Sequence, residues 1–349
     1  MDNERLNNVI KVILASLFQM RARLTKKAFY CKALTGQSYY NIVINSDMTV
    51  SCNCQDYDGS GHLGDLLANS LQEIFRGPVA RGFRKKLAEG KLPILTCTRC
   101  GDLQPVDKAD ARHFEEHYSV PEKGIMVENT VSCNLDCTGC SRKTLLKIRR
   151  QRDLTVENIR KISSAISENR IENLYYFNLG EPFLHPDIID ELTLLRNGNP
   201  DLKITTSTNG SLLDTDRKRE AALLLDHIYF SVDGISDETV RRYQRQGSFR
   251  KAYDNMKALV EYRDSRGLRK PLIEWKYVLF NWNDRKDMIL KAIDMAGAAG
   301  VDTISFWPTK SPVYGISWRY YFGGFFKSIG VGNWKGREVN CPERHLRSQ

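Results

Sequence analysis

From Gly124 onward, short apolar runs alternate with longer stretches whose apolar residues recur at helical spacing. The short runs have the length and the β-branched or aromatic content of strands. The predicted strands are Ile125–Glu128, Leu174–Leu179, Lys203–Ser207, His227–Val232, Leu272–Leu279 and Thr303–Trp307. The predicted helices lie near 155–169, 187–196, 212–225, 237–263 and 284–299. Repeated strand and helix units build a parallel sheet, open or partly closed into a barrel, so we expect an α/β fold.

The region before Gly124 has a different pattern. Apolar residues at helical spacing predict an amphipathic helix within residues 1–30. Tyr40–Ile44 and Thr49–Ser51 then read as a hairpin, followed by a helix near Leu66–Ile74, so residues 31–104 are expected to form a small α+β domain. The charged, proline-containing segment 105–122 is expected to be a linker, and residues 311–349 a C-terminal tail.

Composition and charge restrict the class of protein and the partners that it could bind. The chain has 349 residues, 41% hydrophobic and 27% charged, which is ordinary for a globular protein of about two domains. The net charge of +10 would suit nucleic acid, but the basic runs Arg81–Lys86 and Lys147–Arg152 are short and adjoin no recognised nucleic-acid module. We therefore expect a solvated basic face and no nucleic-acid partner.

The N-terminus lacks the features of an export signal. Acidic Asp2 and Glu4 lie where basic residues would be expected, and Lys11 interrupts the apolar stretch. No segment reaches the roughly 18 consecutive apolar residues of a membrane span. We expect a cytoplasmic protein, and in that compartment nine cysteines indicate thiolate ligands rather than a disulfide framework.

Three of the cysteines lie on one loop. The segment Cys133-Asn-Leu-Asp-Cys137-Thr-Gly-Cys140 follows the first predicted strand, and loops at the carboxyl ends of parallel strands build active sites in barrels. Three thiolates can bind three irons of a cubane and leave the fourth iron open to a chelating ligand. A zinc knuckle would need a fourth ligand, and the next histidine downstream is His185.

The CxxxCxxC motif after the first strand resembles that of the radical S-adenosylmethionine (SAM) superfamily, and the resemblance covers residues 123–310. It implies a partial (β/α)6, TIM-like barrel in which Cys133, Cys137 and Cys140 hold a [4Fe-4S] cluster. It further implies that SAM is bound and cleaved reductively to a 5′-deoxyadenosyl radical, with an electron donor such as flavodoxin or ferredoxin.

The same resemblance implies SAM contacts at the ends of the next strands. Gly180, Glu181 and Pro182 match the motif that holds the SAM ammonium, and the later strand ends supply Ser207, Asn209, Ser231 and Asp233 for its carboxylate and ribose. Asn-Gly and Asp-Gly are also ordinary turn pairs. Trp307 and Pro308 are expected either at the adenine or in the core. Gly139 departs from the family, whose members often carry an aromatic residue there; no catalytic residue is assigned.

A second cysteine group lies upstream. Its order around the hairpin resembles a twitch or SPASM auxiliary module, which implies a second [4Fe-4S] cluster held by Cys31, Cys52, Cys97 and Cys100. Cys54 competes with Cys52 because two residues along a strand return to the same face. Cys341 is a further alternative ligand. Family members usually carry this module after the barrel, whereas here it precedes it.

Other readings remain open. Cys97, Cys100, His113 and His117 have the spacing of a zinc finger, which makes a zinc-dependent nucleic-acid-binding protein the alternative of another class. Within the radical SAM reading we expect hydrogen abstraction from a substrate carbon followed by oxidation. Epimerisation and peptide cross-linking are alternatives, and the substrate is expected to be a peptide or a small molecule.

Overall fold

The computed structural model describes residues 3–329, whose contacts divide the chain into two compact units. The first unit runs to Val131 and also contains Arg142–Asn178 and Leu194–Lys203. The second contains Ser132–Ser141 and Leu179–Thr193, and continues from Ile204. Each unit is therefore assembled from segments that are separated in sequence.

Strands occur in both units. Strands of the first unit are β1 Lys27–Cys31, β2 Val43–Ile44, β3 Thr49–Ser51, β4 His62–Asp65, β5 Leu103–Asp107, β6 Ile125–Val127 and β7 Asn173–Tyr175. Strands of the second are β8 Lys203–Thr208, whose first residue belongs to the first unit, β9 His227–Ser231, β10 Leu272–Leu279 and β11 Thr303–Pro308. The short β6 and β7 end where polar loops begin.

Most helices begin at a residue that can cap them. The helices are α1 Asn3–Leu24, α2 Leu71–Arg76, α3 Pro78–Ala88, α4 Lys108–Glu116, α5 Arg142–Ile148, α6 Val156–Glu168, α7 Ile188–Gly198, α8 Asp216–Leu223, α9 Asp237–Arg241, α10 Phe249–Asp264, α11 Lys286–Ala299, α12 Trp318–Phe322 and α13 Phe325–Ser328. Thr155 caps α6 and Ser248 caps α10 through their side-chain oxygens. None of the helices in this described range is long and apolar enough to cross a bilayer.

In the first unit, five strands lie in the order β4-β3-β2-β6-β7. The hairpin of β2 and β3 is antiparallel, whereas β2 pairs in parallel with β6 through Val43 beside Met126 and Ile44 beside Val127. Strand β6 pairs in parallel with β7. The N-terminal hairpin thus shares one sheet with the first strand of the expected barrel.

A buried ion pair stabilises the end of β6. Arg149 Nε donates to Glu128 Oε1 at 2.8 Å, and the two side chains are 5% and 0% exposed. Asn178 Nδ2 donates to the other carboxylate oxygen at 3.3 Å. Because Asn178 follows β7, this carboxylate connects the ends of two neighbouring strands in the first unit. Removing one partner of a buried pair is costly, so the contact stabilises this arrangement.

In the second unit, β8, β9, β10 and β11 form consecutive parallel pairs. One face of β10 packs on α10, where the rings of Phe249 and Tyr253 lie 6.1 Å and 6.0 Å from that of Trp275. The alternate residues Glu274 and Lys276 point to the opposite face, as strand geometry requires. The expectation of an α/β fold with a mostly parallel sheet is confirmed.

Strand β7 ends at Tyr175 rather than at the expected Leu179, and two other segments differ in kind from the sequence-based expectation. The segment 105–122, expected as a linker, contains most of β5 and all of α4, and β5 pairs antiparallel with β1. The helix expected over 237–263 is two helices, because Gln246 adopts a positive φ of 66° between α9 and α10. Both differences come from turn conformations and strand pairing that apolar periodicity does not encode.

Candidate active site

The three cysteines of the CxxxCxxC motif lie on the loop Ser132–Ser141 of the second unit. All three are partly buried. Burial raises the pKa of the Cys137 thiol well above its usual value, and the neighbouring Cys140 thiol, Asp233 carboxyl and Cys133 thiol raise it further. Cys133 and Cys140 therefore both lie near Cys137. Thiolates grouped in this way are the ligands of iron-sulfur clusters.

Backbone hydrogen bonds fix the loop within its unit. The amide of Asp136 donates to the carbonyl of Arg245 at 3.3 Å, and that of Thr138 donates to the carbonyl of Tyr243 at 2.9 Å. The Glu181 amide donates to the carbonyl of Ser132 at 2.8 Å. The cysteine loop is thus attached both to the segment after α9 and to the predicted SAM motif.

Asparagine side chains add a second set of contacts. Asn209 Nδ2 donates to Asn134 Oδ1 at 2.9 Å, and Asn134 Nδ2 donates to Ser211 Oγ at 2.8 Å. Gly210 adopts a positive φ of 75°, a conformation that glycine adopts without strain. The predicted SAM residue Asn209 therefore lies beside the cysteine loop.

Glu181, the carboxylate of the Gly180-Glu181-Pro182 motif, is 2% exposed. Its carboxylate accepts from Thr208 Oγ1 at 2.7 Å, from the Asn209 amide at 2.8 Å and from the Phe183 amide at 3.2 Å. Burial raises the pKa of this carboxyl, and the hydrogen bonds oppose that shift. Glu181 thus joins the end of β8 to its own turn, a positioning role that the sequence motif did not indicate.

Asp233 follows β9 and is fully enclosed. Its Oδ1 accepts from the Val278 amide at 3.0 Å, and its own amide donates to Gln244 Oε1 at 3.2 Å. Gln244 Nε2 also donates to the carbonyl of Ser231 at 2.8 Å. Burial raises the pKa of the Asp233 carboxyl to about 7. Ser231 and Asp233 are therefore held together by a single glutamine.

The remaining predicted SAM residues are placed less specifically. Ser207 lies on β8 and is partly exposed. Trp307 and Pro308 end β11 and are partly exposed too, and Trp307 Nε1 donates to Ser305 Oγ at 2.7 Å. Because both residues are partly exposed, a place at the adenine and a place in the core both stay predictions.

The second cysteine group lies in the first unit. Burial raises the pKa of the Cys52 thiol well above its usual value, and the thiols of Cys31, Cys97 and Cys100 raise it further. Burial likewise raises the pKa of Cys97 to about 12. The end of β1, the end of β3 and the turn Leu95–Arg99 thus bring the four predicted ligands into one neighbourhood. Cys54 is partly exposed, and Cys341 lies outside the described residues.

The two histidines of the alternative zinc site lie at the end of α4. Their rings stack with centroids 3.9 Å apart, and His117 Nδ1 lies 3.0 Å from the carbonyl oxygen of His113. Within residues 3–329, no three His, Cys, Asp or Glu side chains converge on a position for one metal ion. Ligands of a cubane bind different irons and do not need such convergence.

The cysteine loop and the predicted SAM residues from Gly180 to Asp233 all fall within one segment that a family model matches. Residues 127–266 match the Radical SAM superfamily. This match supports membership of the superfamily, which implies a [4Fe-4S] cluster and SAM. The auxiliary cysteines lie outside the radical SAM match.

Two curated proteins align with about half of the chain. One is the tungsten-containing aldehyde ferredoxin oxidoreductase cofactor-modifying protein of Pyrococcus furiosus, 29% identical over 165 residues, which are 46% of this chain and 45% of that protein. The other is the probable GTP 3′,8-cyclase of Methanothermobacter thermautotrophicus, 25% identical over 150 residues, 43% of this chain and 48% of that protein. The chain therefore spans about half the length of each relative.

Solved structures give weaker likenesses. Native anSMEcpe with bound AdoMet superposes with a TM-score of 0.41 and 17% identity, over 52% of this chain and 50% of that one. The radical SAM methyltransferase TsrM from Kitasatospora setae, with cobalamin and a [4Fe-4S] cluster bound, gives a TM-score of 0.40 and 13% identity, over 58% of this chain and 35% of that one.

Sequence reasoning missed several residues around the site. Asn134, Thr208 and Ser211 hydrogen-bond with predicted SAM residues, and Tyr243 and Lys276 come from outside every recognised motif. The first three lie within three residues of a motif and could have been proposed by adjacency. Tyr243 and Lys276 carry no local signal, because their positions follow only from how the chain folds.

Proposed function

We propose that this protein is a radical SAM enzyme that cleaves SAM reductively and abstracts hydrogen from a substrate carbon. The observation that carries the proposal is the grouping of Cys133, Cys137 and Cys140 on one loop, inside the segment that matches the superfamily. The cluster and SAM, when bound, supply the 5′-deoxyadenosyl radical. The protein's own residues hold the three irons, position SAM and surround the substrate.

Residues of the second unit have distinct parts in this proposal. Gly180, Glu181 and Pro182 hold the SAM ammonium, while Ser207, Asn209, Ser231 and Asp233 contact its carboxylate and ribose. The hydrogen bond between Asn209 and Asn134 supports this assignment, because it connects a SAM residue directly to the cysteine loop. Ligand and cluster would then be positioned by one network.

We further propose a second [4Fe-4S] cluster on Cys31, Cys52, Cys97 and Cys100, in a twitch or SPASM-like module over residues 31–104. The mutual influence of these thiols within the first unit supports it. Cys52 is buried and the other three cysteines are partly buried, and the four come from three separate chain segments, a grouping that a shared bound group would explain. The cluster would accept an electron from the substrate or bind the substrate.

Oxidation is the proposed outcome, with epimerisation and peptide cross-linking as alternatives. One curated relative is named as a cyclase and the other as a cofactor-modifying protein, which favours a small-molecule substrate over a peptide. The proposal includes an electron donor such as flavodoxin or ferredoxin and a cytoplasmic location. The zinc-dependent nucleic-acid-binding alternative rests only on the spacing of Cys97, Cys100, His113 and His117 and on the net charge of +10.

The decisive experiment measures SAM cleavage. Protein reconstituted with iron and sulfide without oxygen, then reduced with dithionite, is expected to convert SAM to 5′-deoxyadenosine and methionine. The Cys133→Ala/Cys137→Ala/Cys140→Ala variant should yield none, because no cluster remains to pass the electron. Retention of wild-type 5′-deoxyadenosine formation by this variant would show that the site is wrongly assigned. Stoichiometric zinc with little iron would favour the alternative class.

A further inference from the structure

One face of the second unit's sheet carries an unusual concentration of polar side chains. Strand register places Lys276 on β10 between Ser231 on β9 and Ser305 on β11, so the three side chains form one row. Trp275, next to Lys276, points to the opposite face and packs on α10. Ser231 is one of the proposed SAM contacts, so the row begins at the cofactor site.

The ammonium of Lys276 lies over aromatic rings. Its Nζ is 4.4 Å from the ring centroid of Trp307 and 5.7 Å from that of Tyr229. Cation–π contacts at these distances hold the ammonium in place but leave its three hydrogen-bond donors unused. The aromatic rings thus orient a positive charge without neutralising it.

The nearby acceptors are engaged elsewhere. Glu274 Oε2 lies 3.0 Å from His227 Nε2, and Glu274 Oε1 accepts from Ser305 Oγ. Trp307 Nε1 donates to the same serine oxygen. Asp233 accepts from the Val278 amide. The carboxyls of Asp233 and Glu274 attract the Lys276 ammonium, but neither lies within ion-pair distance of it.

Among residues 3–329, the Lys276 ammonium therefore makes no ion pair and no hydrogen bond. Burial lowers the pKa of this ammonium, the direction expected for an enclosed positive charge, and the carboxyls of Asp233 and Glu274 oppose that shift. The residue is nevertheless only partly buried, so it is not sealed from a ligand on this face of the sheet. An enclosed charge without a protein partner is costly, and such groups concentrate at ligand sites.

We propose that Lys276 binds an anionic oxygen group, a carboxylate or a phosphate, of a small molecule lying on this face of the sheet. The inference rests on the proposed function, because the same face carries a proposed SAM contact. Two molecules could supply the anion: SAM through its own carboxylate, or the substrate. In the second case the substrate class narrows to anionic small molecules.

The test uses reconstituted full-length protein and three variants. Lys276→Met removes the charge and keeps the length of the side chain, whereas Lys276→Arg keeps a charge. Lys270→Met is the matched control, because Lys270 is an exposed lysine that precedes β10 and pairs with Asp226. Iron content and the urea midpoint establish that each variant is folded and loaded.

Two binding arms distinguish the source of the anion. The first compares equilibrium binding of SAM with that of decarboxylated S-adenosylmethionine. If Lys276 holds the SAM carboxylate, Lys276→Met weakens SAM binding about tenfold or more and leaves the decarboxylated compound unaffected. The second arm titrates inorganic phosphate at saturating SAM. If Lys276 serves the substrate, phosphate binds the wild-type protein and Lys270→Met but not Lys276→Met.

Either pattern supports the inference, and partial recovery in Lys276→Arg is expected in both. Equal binding of SAM, decarboxylated S-adenosylmethionine and phosphate by the wild-type protein and Lys276→Met would overturn it. Failure of the proposed function looks different, because the wild-type protein would then neither bind nor cleave SAM. The two failures are therefore separable in one set of preparations.

Discussion

The ring of Tyr243 fills the space beside Gly139: a Cβ atom on Gly139 would lie 3.1 Å from Tyr243 Cε2 and 3.4 Å from its hydroxyl oxygen. Gly139 immediately precedes Cys140, at the position where radical SAM proteins often carry an aromatic residue. The Tyr243 ring also packs on the ring of Phe280, with centroids 4.6 Å apart. An aromatic residue distant in sequence thus lies where the family often has a local one.

This contact predicts the effect of Gly139→Phe. The new ring would overlap Tyr243, so we expect SAM binding to weaken about tenfold, while Gly139→Phe/Tyr243→Ala should recover most of the affinity because one aromatic ring replaces the other. Equilibrium SAM binding to reconstituted protein measures both. Gly82→Phe is the control, because a Cβ on Gly82 meets no atom within 4 Å. If the double variant did not recover SAM affinity, the idea that one ring can replace the other would be wrong.

The two cysteine groups predict the iron content. With two [4Fe-4S] clusters, reconstituted protein should contain about eight irons per chain. Cys97→Ala/Cys100→Ala should lose about half of them and still cleave SAM, because the loop Ser132–Ser141 lies in the other unit. Turnover of the true substrate should fail.

The histidines provide the control for this experiment. His113→Ala/His117→Ala should leave the iron content unchanged, because neither histidine is a proposed ligand of either cluster. A metal lost from the histidine variant but kept in Cys31→Ala/Cys52→Ala would instead indicate zinc and overturn the auxiliary cluster.

The buried carboxylate of Glu181 predicts linked losses of stability and binding. Glu181→Ala leaves the Thr208 hydroxyl and two amides without their acceptor, so the free energy of unfolding should fall by about 2 kcal/mol or more. SAM binding should weaken as well. Thr208→Val removes one donor and keeps the carboxylate. It should therefore lower the free energy of unfolding without weakening SAM binding. Urea denaturation and SAM titration separate these effects, and equal SAM affinity in all three proteins would leave Glu181 a purely structural residue.

The Asp233 carboxyl predicts a pH dependence of stability. Its folded-state pKa of about 7 lies above the usual 3.8, so the folded protein keeps a proton that the unfolded chain releases between these pH values. The contribution of the neutral carboxyl is therefore full below about pH 4 and lost as pH rises through 7, on the order of 4 kcal/mol. Asp233→Asn stays neutral and can still accept from the Val278 amide. Urea midpoints from pH 4.5 to 8 should favour Asp233→Asn increasingly, and parallel curves would exclude the effect.

Local pattern gave the strands of the second unit almost to the residue. The predicted Leu272–Leu279 is β10 itself, because its residues other than Glu274 and Lys276 are apolar or aromatic, as is typical of a strand in a parallel sheet. The grouping of Cys133, Cys137 and Cys140 could also be predicted from the sequence, since the three cysteines lie within eight residues. Cys31 and Cys100 could be grouped only by resemblance to a module, because no local rule brings such distant residues together.

Other features were beyond sequence reasoning for a physical reason. A lysine within an apolar strand does not reveal which groups will surround it, so Lys276 over Trp307 depends on the register of β10 with β11. Tyr243 beside Gly139 depends on a turn after α9. The segment 105–122 was misjudged because its charges and proline are equally compatible with a linker and with β5 followed by α4.

The parallel pairing of β2 with β6 also determines how the protein can be divided. Val43 and Ile44 pair with one edge of β6, and β7 pairs with the other. Cutting the chain between residues 104 and 123 to express the second part alone would uncover the backbone amides and carbonyls of Ile125–Val127. Exposed flanks of this kind invite pairing with other chains, so such a fragment should aggregate. The N-terminal region therefore cannot be removed without exposing an edge of β6. A shortened version of this protein would need another strand to pair with that edge.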